Sequence, residues 1–233
     1  VNLLPIKLSK KLTIKLIIIS ATLSYSISFS IENKVPTKKA LVTLTPSIFK
    51  AEMRKMWMSD AFWSRNFTLC LIDDLPGIEQ TKERLVEDKK QLGNCFKNYY
   101  SEQIGNEITD LLQQHLTISE EVIRTINSNN TDAANESLKK WYINANEIAI
   151  ALNKLNYKWS TQSMKQLWYE QIKLTLVQIN LRYQKAYESE IIAAEHLLLH
   201  YYKIADTLSD ELVKQFPEKF KPISTTLTSK NVH

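Results

Sequence analysis

Glycine is nearly missing from this 233-residue chain: Gly77, Gly93 and Gly105 are the only three, where average usage would supply roughly 16. Loops that cradle phosphates need clustered glycines. Neither a GxGxxG, a GxxxxGK[ST] nor a GxSxG pattern can be assembled from these three, which removes the usual signatures of dinucleotide binding, nucleotide hydrolysis and the nucleophile elbow. Proline is equally sparse, at positions 5, 36, 46, 76, 217 and 222, so the span from Gly77 to Phe216 carries none. Cysteine is limited to Cys70 and Cys95.

The chain is rich in helical periodicity. Thr45 and Pro46 form an N-cap and first-turn pair, and the following stripe is Phe49, Met53, Met56, Asp60, Trp63, Phe67 and Cys70. The Asp74-Leu75-Pro76-Gly77 turn ends it. A second helix is expected from Ile78 to about Tyr99, with Ile78, Leu85, Leu92, Phe96 and Tyr99 inward and Gly93 marking a soft point or a close contact. A third follows Ser101 with Ile104, Ile108, Leu111, His115, Ile118 and Val122. The Asn127-Ser128-Asn129-Asn130 cluster breaks it. A fourth begins at Thr131 or Asp132 with Ala134, Leu138, Trp141, Ala145, Ile148, Leu152 and Leu155. From Ser160 to about Gln215 the pattern stays helical for a length that one helix seldom reaches, so a break is expected near Asn180 to Tyr183. Nothing from 46 to 216 alternates with period two. Short connections between long helices favour antiparallel neighbours, and the expected fold is an all-α, up-and-down antiparallel bundle of five or six helices.

Residues 1 to 30 hold Lys7, Lys10, Lys11, Lys15 and no acid, then an apolar run from Leu16 through Phe29 ending in small residues at Ser28 and Ser30. This is the pattern of a cleaved secretory signal; the run, about 15 residues and interrupted by serine, is shorter than the roughly 20 a spanning helix needs. The expected organisation is a signal peptide at 1–30, a linker at 31–45, the bundle at 46–216 and a disordered tail at 217–233. The formal charge of +5 then loses its meaning. Without the signal segment 26 basic and 25 acidic residues remain, which excludes a nucleic-acid partner on charge and leaves membrane contact to the signal segment alone. Export would permit a disulfide, but a hairpin would offset Cys70 and Cys95 by roughly 20 Å along its axis. Two buried free thiols are expected instead.

Titratable side chains on apolar stripes are the clue to chemistry, because burial without a partner is costly. Asp60 lies between Met56 and Trp63, and His115 between Leu111 and Ile118. His196 and His200 stand four apart in a row with Ile192, Ile204 and Leu208, with Glu195 beside them. Carboxylates and histidines projecting inward from separate helices are how bundles hold metals, so Asp60, His115, His200 and His196 are candidate ligands for a divalent transition metal. Each also has a structural reading. Asp60 can pair with an arginine such as Arg65 or Arg54, and His115 can be a hydrogen-bonded core residue. Asn144 and Glu147 flank the fourth stripe as supporting groups or solvated ones. Trp57, Trp63, Trp141, Trp168, Tyr142, Tyr201 and Tyr202 suit packing better than a cofactor box, and the Lys89-Lys90 and Lys139-Lys140 runs suit exposed faces. No nucleophile, base and orienting group form a set, so an enzyme is disfavoured.

The segments Met56-Trp57-Met58-Ser59-Asp60-Ala61-Phe62-Trp63-Ser64-Arg65, Asp73-Asp74-Leu75-Pro76, Leu92-Gly93-Asn94 with Tyr99-Tyr100, Trp141 through Ile148, and Ala205-Asp206-Thr207-Leu208-Ser209 leading to Lys214-Gln215-Phe216-Pro217 resemble a family of small, often exported, all-helical bacterial proteins without an established activity. Some of its members carry the labels acetylglutamate kinase or glycosyltransferase, which the scattered glycines here do not support. The resemblance implies histidines on several helices: His115 and His200 match two such positions, whereas Asp60, Gln171 and Leu198 stand where histidine would be expected. The combined expectation is an exported binding or structural protein of the cell envelope or the extracellular space, with a metal-binding, redox-capable bundle as the alternative.

Overall fold

A computed structural model describes residues 44–220. The expected signal segment, nearly all of the expected linker and most of the expected tail lie outside the described residues.

Six helices follow one another: α1 (Pro46–Asp73), α2 (Ile78–Lys97), α3 (Glu102–Asn127), α4 (Thr131–Leu155), α5 (Thr161–Tyr183) and α6 (Tyr187–Gln215). There is no strand among the described residues. The ends form where local chemistry demands. Thr45 Oγ1 accepts the Ile48 N–H at 3.2 Å, Ser101 Oγ that of Ile104 at 3.2 Å, Asn130 Oδ1 that of Ala133 at 3.0 Å and Ser160 Oγ that of Ser163 at 3.1 Å, each satisfying a donor the first turn leaves free. Asp74 stops α1 in the left-handed region (φ 50°), and the Leu75 N–H returns to the Cys70 carbonyl at 3.0 Å. The break expected near Asn180 to Tyr183 falls just beyond it, between Tyr183 and Tyr187, with Lys185 at φ 57°.

Each helix packs antiparallel on its neighbours in sequence, and α6 returns to pack on α1, closing a ring; α1 also touches α3 and α5. That extra contact explains a difference from the expected stripe. Met56, Trp63 and Cys70 are only half-buried, while Trp57, Ala61, Thr68 and Leu71 join Phe49, Met53, Asp60 and Phe67 in the interior. A helix with neighbours on four sides buries a wider arc than one seam.

Gly93 is a close contact rather than a soft point. A Cβ there would lie 2.7 Å from the Gly105 carbonyl oxygen, and one at Gly105 would lie 2.9 Å from that of Gly93, so two of the three glycines let α2 and α3 cross at backbone distance. Past the expected boundary at Phe216, Pro217–Lys219 make a 3-10 turn and Phe220 is buried, its ring 5.0 Å from Phe49 and 5.7 Å from Tyr99. The bundle therefore runs on to Phe220. Both cysteines are free: Cys95 is buried with its Sγ 3.5 Å from Met53 Sδ, whereas Cys70 is only half-buried.

The apolar interior divides in two. A large cluster is built around Trp57, Trp141, Ile148, Trp159, Ile172 and Ile204, and a smaller one comprises Phe67, Leu71, Leu85, Leu116, Ile123 and Ile179. Polar side chains gather where the two meet.

Candidate functional site

Asp60 is completely buried, and its carboxylate Oδ1 accepts from Lys89 Nζ at 2.5 Å while Oδ2 has no partner among the described residues. The partner is neither arginine that the sequence suggested: Arg65 binds Glu190 at 2.8 Å and Arg54 binds Asp206 at 2.7 Å. Burial raises the pKa of Asp60, with Lys89 opposing. Lys89 itself is buried, 5% exposed, which corrects its expected place on a solvated face; Lys90, Lys139 and Lys140 are exposed as expected. The signal was present in the spacing. Leu85, Lys89, Leu92 and Phe96 follow steps of four, three and four, so a lysine at 89 points inward with its neighbours.

His115, on α3, sits between Trp141 and Trp168, with ring centroids 5.4 and 5.3 Å away. The Trp141 indole N–H donates to Nε2 at 2.9 Å, and Nδ1 lies 2.7 Å from Asn144 Oδ1. An indole nitrogen can only donate, so the Nε2 lone pair is committed and the ring proton resides on Nδ1, donated to Asn144. Asn144 in turn donates to the Leu111 carbonyl and to Gln114 Oε1, both at 3.2 Å, and is thus a buried orienting group; Glu147 is exposed. Burial lowers the pKa of His115 to about 4, which keeps the ring neutral at pH 7. Gln171 Oε1 also faces Nε2, at 3.0 Å. The Gln171 side-chain amide thus links His115 to the Thr175 and Tyr201 hydroxyls.

His200 is buried against α5, with Nε2 2.8 Å from the Leu167 carbonyl, and burial lowers its pKa. His196 and Glu195 are exposed. The row of Ile192, His196, His200, Ile204 and Leu208 starts in solvent and ends in the core, because steps of four advance about 40° around a helix of 3.6 residues per turn. Asp60, His115, His200 and His196 are not gathered as a ligand set: among the described residues no three His, Cys, Asp or Glu side chains are placed to hold a metal ion.

What the polar residues do build is a small interior chamber of about 30 Å³, lined by Ser64, Thr68, Lys89, His115, Ser119, Gln171, Thr175, Gln178 and Tyr201 with apolar walls from both clusters. All but α4 contribute a polar side chain directly, and α4 supplies Trp141. Gln171 Nε2 lies 3.1 Å from Thr175 Oγ1 and 3.4 Å from the Tyr201 hydroxyl. Glu190, 1% exposed, joins α6 to α5 and α1 by accepting from Gln178 Nε2 and Arg65 Nη2, both at 2.8 Å.

A second feature lies on the outside of the same wall. A groove of about 410 Å³ runs between α1 and α6, bounded by Ala61, Phe62, Arg65, Gln178, Ile191, Ala194, Glu195, Leu197 and Leu198. Its apolar rim is exposed, with Phe62 at 59%, Ile191 at 53% and Leu198 at 37%. Ile192 and Leu199 extend the exposed apolar surface of α6. This groove is not legible in the stripe pattern, since it forms only where Phe62 of one helix faces Ile191 and Leu198 of another far away in sequence. No protein family, curated protein or solved structure matches the chain.

Proposed function

We propose that this chain is an exported binding protein that holds a small apolar or amphipathic molecule in the groove between α1 and α6. The observation that carries the reading is the groove itself: an apolar cleft outside the packed core, with Phe62, Ile191 and Leu198 exposed along its rim. A uniformly polar surface would have favoured a purely structural role. The volume, about 410 Å³, falls within the range of roughly 300–1,000 Å³ for small-molecule sites. Along α6 its walls extend from Ile191 to Leu198, roughly 10 Å at 1.5 Å per residue, a short bed for a protein helix but enough for a short chain. Export is supported by the basic and apolar segments of residues 1 to 30. Among the described residues no helix is long and apolar enough to cross a membrane.

The test is binding of an environment-sensitive naphthylamine dye by the purified chain, compared with Ala194→Trp. Ala194 lines the groove and is half-buried, so an indole there fills the cleft from its floor. The expected result is dye binding that weakens at least tenfold in the variant. Equal binding by the two proteins, or none by the parent, refutes the groove as a site. Export is checked by the mass of the chain recovered outside the cytoplasm, expected to show cleavage near Ser30.

A further inference from the structure

Helix α6 packs on α5, on α1 and on the short turn that follows it, and its outer side faces away from all three. That side is apolar. Six of the twelve large apolar side chains exposed among the described residues belong to α6: Tyr187, Ile191, Ile192, Leu198, Leu199 and Tyr202. Single exposed hydrophobes need no explanation, but a cluster of them on one face marks an interaction surface.

The charges on this face fit a second copy of the chain. At 3.6 residues per turn, Glu188, Ile192, Leu199 and Lys203 fall within an arc of about 60°, and all four are exposed. They are also placed symmetrically about the midpoint between Glu195 and His196, with Ile192 and Leu199 roughly 5 Å from it along the axis and Glu188 and Lys203 roughly 11 Å. Among the described residues no ion pair within the chain involves Glu188 or Lys203, whereas Asp206, Asp210 and Glu211 further along α6 are paired. We propose that two copies dock through this face, α6 against α6 and antiparallel, about a two-fold axis that passes between Glu195 and His196. Each Glu188 then meets the partner's Lys203 and each Ile192 the partner's Leu199, so that one set of contacts occurs twice. A parallel pairing would set Glu188 against its own counterpart and Lys203 likewise. A lipid surface fits less well, because Glu188 and Glu195 would meet anionic head groups.

The two-fold axis lies across the paired helices in the plane between them, so both grooves fall on the same side of the pair. Ile191 and Leu198 stand about 100° round α6 from the contact line, which sets the two grooves side by side. Pairing goes beyond the groove reading and does not rest on it.

Sedimentation equilibrium of the purified chain tests the pairing, with helicity followed by circular dichroism. The parent is expected to form a concentration-dependent dimer. Leu199→Asp, at a side chain 64% exposed and so outside the core, should weaken it by about tenfold or more, because a charge would enter each apolar layer. Glu188→Lys and Lys203→Glu should each weaken it several-fold by setting like charges together, and the double exchange should restore it. Glu195 nears its own counterpart at the axis, so Glu195→Gln should tighten the dimer. In a Cys70→Ser background, oxidation of His196→Cys should yield a covalent dimer, since residue 196 lies beside its counterpart. Tyr187→Cys should not, because its counterparts stand roughly 25 Å apart along the helices. A parent that stays monomeric at millimolar concentration overturns the proposal, as does a dimer indifferent to Leu199→Asp. A double exchange that restores nothing, or equal cross-linking at 187 and 196, overturns the antiparallel register. A monomer that instead sediments with phosphatidylglycerol vesicles gives the face to a lipid surface. Dye binding by the parent and Ala194→Trp reads the groove separately, so neither proposal decides the other.

Discussion

Replacing Lys89 by methionine removes the one hydrogen-bond partner that, among the described residues, meets a carboxylate entirely out of solvent. The side chain keeps its approximate length, so little packing is lost and the effect isolates the charge. Breaking a buried ion pair from one side costs about 3–5 kcal/mol, because the remaining charge is neither solvated nor compensated. For a domain of this size each kcal/mol lowers Tm by about 2–4 °C, so Lys89→Met should fall by roughly 6–20 °C at pH 7. The pH dependence gives the sign. Burial already raises the folded-state pKa of Asp60 and Lys89 opposes it, so removing Lys89 raises it further. A group with a raised folded pKa stabilises most below its unfolded value and loses that contribution as pH rises through the folded one. The defect of Lys89→Met should therefore shrink on acidification, as Asp60 takes up a proton, and be largest at neutral pH and above. The assay is urea unfolding followed by far-ultraviolet circular dichroism at several pH values, with Asp60→Leu and the double variant completing a thermodynamic cycle. An apolar pair in place of a buried ion pair is often neutral or stabilising, so the double variant should recover most of the loss. A Lys89→Met variant within 1 kcal/mol of the parent at pH 7, or losses in the two single variants that simply add in the double, would refute the claim that these residues form one buried pair.

Two further outcomes follow from the same interior. His115 has a folded pKa of about 4, below its ordinary 6.5, so its contribution is complete above the unfolded value and is lost as pH falls from about 6.5 through about 4; His115→Phe should flatten that part of the stability profile while costing about 1–3 kcal/mol at neutral pH for the stranded Trp141 N–H, measured by urea unfolding across that interval. Gly93→Ala should destabilise by about 1–3 kcal/mol despite its better helix propensity, because the new methyl meets the Gly105 backbone; an unchanged or higher Tm by calorimetry would show that α2 and α3 do not cross as closely as described.

Helix positions were readable in detail because the signals are local. A capping Thr45, Ser101 or Ser160, the Asp74-Leu75-Pro76-Gly77 turn and the Asn127–Asn130 cluster each act on the residues beside them. The site was readable only in part. His115 and Asp60 were marked by their places on apolar stripes, yet the same rule applied to Leu85, Leu92 and Phe96 would have marked Lys89. Asn144 was open to either role, and Glu190 carried no mark because it lies in the first turn of α6, where an acid is also favoured by the helix dipole. The correct partner for Asp60 could not be chosen from the sequence, since Arg54, Arg65 and Lys89 differ only in where helix packing carries them.

The sequence by itself determined an all-helical antiparallel bundle, since near-absence of glycine and proline, stripes of period 3.6 and short polar connections leave few alternatives. Tertiary structure decided which polar residues meet. Closing the ring by packing α6 on α1 brings Arg65 to Glu190, separated by 125 positions, and sets Phe62 opposite Ile191 and Leu198 to open a groove against the chamber wall. Those juxtapositions depend on the rotation and depth at which helices pack, and periodicity within one helix does not encode either.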